Sequence, residues 1–164
     1  MITDALFSVE GKVVLITGAG GGVGSALTRA FVARGATVAA VEREQSLLEQ
    51  LTARACDAPA RLLGFPFDLL ATEQIPGLID RIIDRAGRID VLVNNAAINW
   101  PGPADEVSES HWDEILTVNL KASFFLAQTV ARHMRRQGGG RIINIASQLG
   151  IVARDGCAPY SAGK

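Results

Sequence analysis

Two side chains close together in the sequence, Tyr160 and Lys164, could move a proton as a pair. Residues four apart share one face of a helix, and Pro159 suits the first turn of a helix that begins here. An isolated tyrosine has a pKa of about 10, and a neighbouring ammonium favours the phenolate and lowers that pKa. Tyr160 could then take a proton from an alcohol or return it to a carbonyl oxygen. A Tyr-x-x-x-Lys pair is common by chance, so its weight depends on the other motifs.

A glycine-rich run, Thr17–Gly24, follows an apolar segment and precedes a helical pattern. Gly18 can make the tight exit from a strand, Gly22 can let the backbone approach a pyrophosphate, and Gly24 can let the helix pack on the sheet. The helix then offers free N–H groups and the positive end of its dipole to phosphates. The run predicts a dinucleotide site, with a plain glycine turn as the alternative.

An acid follows the second predicted strand, about 20 residues past the glycines, where a carboxylate can accept hydrogen bonds from the ribose of a dinucleotide. This residue is Glu42, and its charge would repel a 2′-phosphate. The neighbouring Arg43 could instead pair with such a phosphate. Both residues could also be solvated loop charges. The acid favours NAD over NADP.

Four motifs together resemble the classical short-chain dehydrogenase/reductase family. They are the spacing T-G-x-x-x-G-x-G, the strand end Asn94-Asn95-Ala96-Ala97, a serine at 147 and the Tyr160-x-x-x-Lys164 pair thirteen residues later. The resemblance implies an NAD(P)-dependent oxidoreductase that transfers a hydride between a nicotinamide cofactor and an alcohol or ketone substrate.

The resemblance also implies a catalytic set of Asn119, Ser147, Tyr160 and Lys164. Asn119 would bend the long helix that contains it and hold a water in a proton relay. Ser147 would donate to the substrate oxygen from the carboxyl end of a strand, where ligands bind in open α/β sheets. Tyr160 would be the general acid/base, and Lys164 would also hold the nicotinamide ribose.

The family pattern extends the cofactor site beyond the glycines. Asp68 would meet the adenine amino group, although it could also cap the following helix. This sequence has Ala97 where the family has glycine, which adds one methyl group. The residues expected to contact the cofactor are Gly18, Gly21, Gly22, Val23, Gly24, Glu42, Arg43, Asp68, Leu69, Asn95, Ala96, Ala97, Tyr160 and Lys164.

Strand-like and helical segments alternate along the chain, which is typical of βαβ units and a parallel sheet. We expect an α/β, Rossmann-type doubly wound sheet with strand order 3-2-1-4-5, in a single domain over residues 1–164. The predicted strands are 12–17, 37–41, 61–67, 89–93 and 141–146. The predicted helices are 23–34, 45–55, 75–86 and 112–136, the last capped by Ser108.

Composition gives mainly exclusions. The 164 residues carry a net charge of −1, so bulk charge offers no attraction to nucleic acid or an anionic membrane surface. The sequence has neither a signal peptide pattern nor a long apolar span, and we expect a cytoplasmic protein. Cys56 and Cys157 lack metal-site spacing, and no metal is expected.

In the resembled family the chain continues past Lys164 through a further strand, a substrate loop and a last strand. We therefore expect a carboxyl-terminally incomplete domain, with an exposed sheet edge and a loosely held Tyr160. A catalytically inactive nucleotide-binding fragment or pseudoenzyme is the alternative. A methyltransferase of the same fold type would leave Ser147, Tyr160 and Lys164 without a role.

The family's long helix commonly forms a subunit interface. In this sequence that helix carries apolar residues on more than one side: Phe124, Phe125, Leu126 and Val130. Burial against both a sheet and a partner would explain this pattern, although full burial within one chain would look the same. We expect a homo-oligomer, a dimer or tetramer, for the complete protein.

Overall fold

A parallel sheet covered by helices on both faces forms the body of the molecule in a computed structural model, which describes residues 7–54 and 59–164. The strands of this sheet are β1 (Val13–Thr17), β2 (Thr37–Glu42), β3 (Leu62–Pro66), β4 (Val91–Asn94) and β5 (Arg141–Asn144). The helices of the described residues are α1 (Gly22–Ala33), α2 (Gln45–Arg54), α3 (Ile75–Ala86), α4 (Glu109–Leu116), α5 (Ala122–Arg136) and α6 (Ala158–Gly163).

The sheet has the order β3-β2-β1-β4-β5 with every pairing parallel, which confirms the predicted α/β doubly wound fold. The chain moves outward from β1 through β2 to β3 and then crosses back to place β4 on the other side of β1. The strand order therefore reverses between β1 and β4. In sheets of this kind ligands bind beyond the carboxyl ends of the strands at this reversal.

The core consists of two apolar layers, one on each face of the sheet. Leu15 and Leu92 contribute to the layer under α3 and α5. Val14, Ile16 and Val38 contribute to the layer under α1 and α2. Every residue of β1 is buried, as expected of a continuous apolar run in a parallel strand. This central strand fixes the position from which the glycine run leaves the sheet.

The long predicted helix at 112–136 is two helices joined by a π-helical turn, Thr117–Lys121. The Ala122 amide donates to the Thr117 carbonyl five residues back, which is the hydrogen bond of a π-helix. Ser108 caps α4 as predicted, since its Oγ accepts from the His111 amide at 3.2 Å.

Other boundaries differ by a few residues from those predicted. The predicted end of α2 at Ala55, and Cys56, lie outside the described residues. Asp68 caps no helix, because α3 begins only at Ile75; its Oδ1 accepts from the Leu70 amide at 2.9 Å in a local turn. None of the helices in residues 7–54 and 59–164 is long and apolar enough to cross a bilayer.

Candidate functional site

The glycine run forms a tight turn between β1 and α1. Gly18 has a φ of 61°, in the left-handed region that side chains disfavour. A Cβ at Gly24 would lie 2.0 Å from the Gly18 carbonyl oxygen, so α1 approaches the strand end as closely as the backbone allows. A Cβ at Gly22 would meet none of the described residues within 4 Å. Gly24 therefore serves packing, whereas Gly22 borders open space.

Polar contacts connect the ends of β1 and β4. Asn95 Nδ2 donates to the Thr17 and Gly18 carbonyl oxygens at 2.9 and 3.1 Å. Thr17 Oγ1 accepts from the amides of Asn95 and Ala96, both at 3.1 Å. Asn94, the last residue of β4, connects that strand to β5, since its Nδ2 donates to Asn144 Oδ1 at 2.9 Å. The two asparagine side chains therefore brace neighbouring strand ends.

Glu42 ends β2, and its carboxylate faces the glycine turn. Oε2 accepts from the Gly20 amide at 3.1 Å, and Oε1 accepts from the Arg43 amide at 2.8 Å. These bonds fix a negative charge beside the turn. The Arg43 guanidinium pairs instead with Glu44 at 3.2 Å, and both of those side chains are more than half exposed.

Ser147 and the Tyr160–Lys164 pair come together after β5. Ser147 begins a short 3-10 turn, Gln148–Gly150, and its Oγ accepts from the Leu149 amide at 3.1 Å. Lys164 lies one turn after Tyr160, with Nζ 5.8 Å from the centre of the tyrosine ring. Lys164 Nζ donates to the Ile145 carbonyl at 2.8 Å.

Partial burial lowers the pKa of the Lys164 ammonium from its usual value, because loss of water disfavours the charged form. The other end of α6 is held at Cys157, whose sulfur accepts from Arg154 at 3.4 Å and from Asn99 at 3.6 Å. Both ends of the short helix are therefore tied to neighbouring loops by polar contacts.

Asn119 lies inside the π-helical turn, buried behind the site. Its Oδ1 accepts from the Ile98 amide and its Nδ2 donates to the Ile98 carbonyl, both at 2.9 Å. The side-chain amide therefore satisfies both the N–H and the carbonyl of Ile98, as the backbone of a neighbouring strand would. The π-turn brings this side chain into register with Ile98.

One cavity of about 590 Å³ brings most of the predicted residues together. Its wall includes every residue expected to contact the cofactor, together with Ser147, whereas Asn119 stands behind the wall next to the lining residue Val118. Sequence reasoning missed further lining residues. Leu47 lies on α2 away from any motif, whereas the others lie one or two positions from a recognised motif residue: Val41, Glu44, Phe67, Ile98, Val118, Ile145 and Ala146. Position beside a motif was the available signal for all of these residues except Leu47. Within the described residues, no cluster of three or more His, Cys, Asp or Glu could hold a metal.

Comparison with known proteins links this arrangement to a family. A sequence model described as short chain dehydrogenase matches residues 12–164. The chain is 37% identical over 161 residues to a D-threitol dehydrogenase of Mycolicibacterium smegmatis, covering 98% of this chain and 62% of that protein. It is 37% identical over 156 residues to a 3-oxoacyl-(acyl-carrier-protein) reductase of Thermotoga maritima, covering 95% of this chain and 63% of that protein. The chain thus spans less than two thirds of the length of these relatives.

Solved structures show the same architecture. An NAD⁺-bound xylitol dehydrogenase superimposes with a TM-score of 0.90 at 29% identity, covering 95% of this chain and 60% of that one. A metagenomic short-chain oxidoreductase in complex with NADP superimposes with a TM-score of 0.89 at 33% identity, covering 96% and 72%. The family-wide sequence match and the shared fold show that this chain belongs to the short-chain dehydrogenase/reductase family of oxidoreductases.

Proposed function

We propose that this chain binds NAD in the cavity and supplies the proton-transfer groups for hydride exchange with an alcohol or ketone. The observation that carries the proposal is the cavity itself, which places the glycine turn, Glu42, Ser147 and the Tyr160–Lys164 pair around one space. A dinucleotide is long enough to contact both ends of such a site. One end is rich in backbone N–H groups, and the other carries a titratable hydroxyl beside a cation.

The glycine turn fits a pyrophosphate. Gly22 borders open space, and Gly21 has only the Gly18 carbonyl near the position of a Cβ, at 3.5 Å. Phosphate oxygens can therefore approach the backbone amides at the start of α1, where the helix dipole favours negative charge. Val23 and Gly24 complete this end of the cavity wall.

The adenosine end carries the choice between NAD and NADP. Glu42 holds a fixed carboxylate at the end of β2, where it can accept from ribose hydroxyls and repel a 2′-phosphate. Arg43 is the residue that could form an ion pair with that phosphate, but its guanidinium already pairs with Glu44. Asp68 and Leu69 line the same wall, where they would meet the adenine. This arrangement supports NAD as the preferred cofactor.

At the end of the cavity lined by Ser147, Tyr160 and Lys164, we assign proton transfer to side chains of this protein. A nicotinamide cofactor held in this cavity would supply the hydride chemistry. Tyr160 exchanges the proton with the substrate oxygen, Ser147 donates a hydrogen bond to that oxygen, and the Lys164 ammonium favours the phenolate form of Tyr160. Asn95, Ala96 and Ala97 line the wall between the two ends of the cavity, where the backbone can pass beneath the ribose.

Asn119 contributes through the π-turn. Both polar atoms of its amide pair with Ile98, so the side chain fixes the segment after β4 against the helix that packs beside α6. We assign Asn119 a positioning role. A water of the proton relay would be held by the second hydrogen of Asn119 Nδ2, the second lone pair of Oδ1 or the neighbouring backbone.

The helix surface supports assembly into a homo-oligomer. Leu126 and Val130 are buried in the core, whereas Phe124 is 59% and Leu120 52% exposed on the outer side. Large exposed apolar side chains grouped on one helix face favour contact with another protein surface. We propose a second copy of the chain, as a dimer or tetramer.

The cofactor proposal is tested by the melting temperature of the protein titrated with NAD⁺ and, separately, with NADP⁺. Cofactor at a hundred times its Kd should raise the melting temperature by roughly 5 to 10 °C. We expect the rise with NAD⁺ at a lower concentration than with NADP⁺. No shift with either cofactor would overturn the proposal, and binding without any turnover of alcohols would favour an inactive nucleotide-binding protein.

The role of Glu42 is tested by Glu42→Gln, with Glu49→Gln as the matched control. Glu49 is an exposed acid on α2 that hydrogen-bonds Gln45, so its loss changes net charge equally without touching the cavity. Glu42→Gln should reduce the preference for NAD⁺ at least about tenfold, since like charges placed together cost several kcal/mol and about 1.4 kcal/mol already corresponds to a factor of ten. An unchanged preference would contradict the assignment of Glu42.

A further inference from the structure

Gly150 ends the turn that begins at Ser147, and it lies directly against the carboxyl end of α6. A Cβ at this position would lie 2.6 Å from the Lys164 carbonyl oxygen and 2.7 Å from the Lys164 carbonyl carbon. Non-bonded carbon atoms pack at about 3.5 to 4.0 Å, so a side chain here would force backbone apart. Its φ is not among the positive values of this chain. Close approach, and not backbone conformation, requires the glycine.

The turn transmits this contact to Ser147. The Gly150 amide donates to the Ser147 carbonyl at 3.0 Å, and the Leu149 amide donates to Ser147 Oγ at 3.1 Å. Two bonds within four residues make the turn a small rigid unit. The separation of Gly150 from Lys164 therefore fixes the separation of Ser147 from the end of α6.

A second glycine sets the opposite side of α6. A Cβ at Gly163 would lie 3.2 Å from Asn119 Cβ and 3.4 Å from Leu116 Cδ2. These are side-chain atoms that can yield by a few tenths of an ångström, so the approach is close but less strict than at Gly150. The end of α6 thus lies between the Ser147 turn and the π-helical turn, with a glycine at each contact.

We propose that Gly150 is a positioning residue for proton transfer: by lacking a side chain, it lets the Ser147 turn and the Lys164 end of α6 close to the separation at which Ser147 and Tyr160 reach one substrate oxygen. This inference rests on the proposed function of the same cavity. It explains why the serine turn and the tyrosine helix, which are separate in sequence, line one wall. It also assigns a role to a residue that touches neither cofactor nor substrate.

The test is a series of alanine substitutions of increasing steric severity, made in the full-length gene product. Gly150→Ala introduces the most severe overlap, Gly163→Ala a milder one, and Gly77→Ala in α3 meets nothing within 4 Å and serves as control. Misplacement by about 1 Å can cost up to about a hundredfold in rate. We expect kcat for oxidation of a secondary alcohol to fall about tenfold or more in Gly150→Ala, less in Gly163→Ala and under about twofold in Gly77→Ala.

Comparison of kcat with the Kd for NAD⁺ distinguishes a positioning effect from loss of the fold. The Kd for NAD⁺, measured by thermal shift, should change less than about threefold in Gly150→Ala, because the pyrophosphate and adenosine contacts are distant from the turn. Wild-type kcat in Gly150→Ala would overturn the proposal. If Gly150→Ala does not fold, Gly163→Ala is judged by the same two parameters, and an unchanged kcat there overturns the proposal.

Hydrogen exchange followed by mass spectrometry gives a readout that does not need turnover. Amides of α6 and of the Ser147 turn should exchange faster in Gly150→Ala, while amides of β1 stay as in wild type. Unchanged exchange in α6 would show that Gly150 does not set the docking of this helix. A wild-type protein that oxidises no secondary alcohol with either cofactor would overturn the proposed function instead, and the exchange comparison would still decide the docking.

Discussion

The two ends of the cavity rest on strands that differ sharply in burial. The glycine turn follows β1, whose residues are all buried between two apolar layers. The Ser147 turn follows β5, whose residues are all exposed, with Ile142 at 39% and Ile143 at 43%. Burial of apolar area is the dominant stabilising term in a folded chain. Within this chain, the proposed cofactor end is therefore held by the core, whereas the proposed proton-transfer end is held mainly by local contacts.

This contrast implies that binding and chemistry can fail separately. Polar contacts hold α6 at Cys157 and at Lys164 Nζ, and a net hydrogen bond contributes only about 0.5 to 1.5 kcal/mol. A change on the β5 side should therefore disturb turnover before it disturbs the sheet. A change under β1 should unfold the sheet and remove both functions together.

The largest expected effect is on kcat, from a substitution of Tyr160 that should leave cofactor binding intact. Tyr160→Phe keeps the ring and removes only the hydroxyl. Because a positioned general acid/base contributes about 10² to 10⁴ in rate, we expect kcat to fall about a thousandfold while the Kd for NAD⁺ stays within about threefold. Steady-state oxidation of an alcohol together with cofactor thermal shifts measures both values.

The matched control for this substitution is Ser161→Ala. It removes a hydroxyl from the next residue of α6, where Ser161 Oγ is buried and has no hydrogen-bond partner among the described residues. We expect little change in kcat. Full activity of Tyr160→Phe would sink the proton-transfer role, and an equal loss in both variants would point to the helix and not to the phenol.

The sequence predicted the fold and the cavity wall because both depend on local patterns. The apolar run Val13–Ile16 suits a strand covered on both faces, and the glycines mark the turn that follows it. The family resemblance implied a bend of the long helix at Asn119, and a π-helical turn at 117–121 contains that residue. The apolar pattern alone did not indicate the turn, since one inserted residue leaves a helical pattern almost unchanged. Ile142 and Ile143 read like the residues of β1, because a sequence pattern does not say what covers a strand.

Site details that depend on tertiary contacts were also beyond the sequence. The pairing of the Asn119 amide with Ile98 joins segments 21 residues apart. The bond from the Gly20 amide to Glu42 joins positions 22 apart. The need for glycine at 150 arises only from the position of Lys164. Each of these appears once the sheet has set the distance between the segments.

The burial contrast itself is tested by a pair of core truncations. Leu15→Ala on β1 should lower the free energy of unfolding by about 2 to 5 kcal/mol, as is usual for a fully buried leucine. Ile143→Ala on β5 should cost less than about half of that, because the side chain already contacts water. Urea unfolding at equilibrium measures both. Equal losses would contradict the contrast and show that β5 is covered in solution.

The smallest expected effect sharpens the comparison within the cofactor end. Gly24→Ala places a Cβ against the Gly18 carbonyl oxygen, and such overpacking should lower the free energy of unfolding by about 1 to 3 kcal/mol without cofactor. Gly22→Ala meets no atom within 4 Å, so stability should hold while the Kd for NAD⁺ rises about tenfold, as the methyl group occupies pyrophosphate space. Urea unfolding and NAD⁺ thermal shifts distinguish the two losses. Unaltered NAD⁺ binding in Gly22→Ala would mean that the phosphates lie elsewhere on the turn, because the open space at Gly22 is the feature that marks it for a ligand and not for packing.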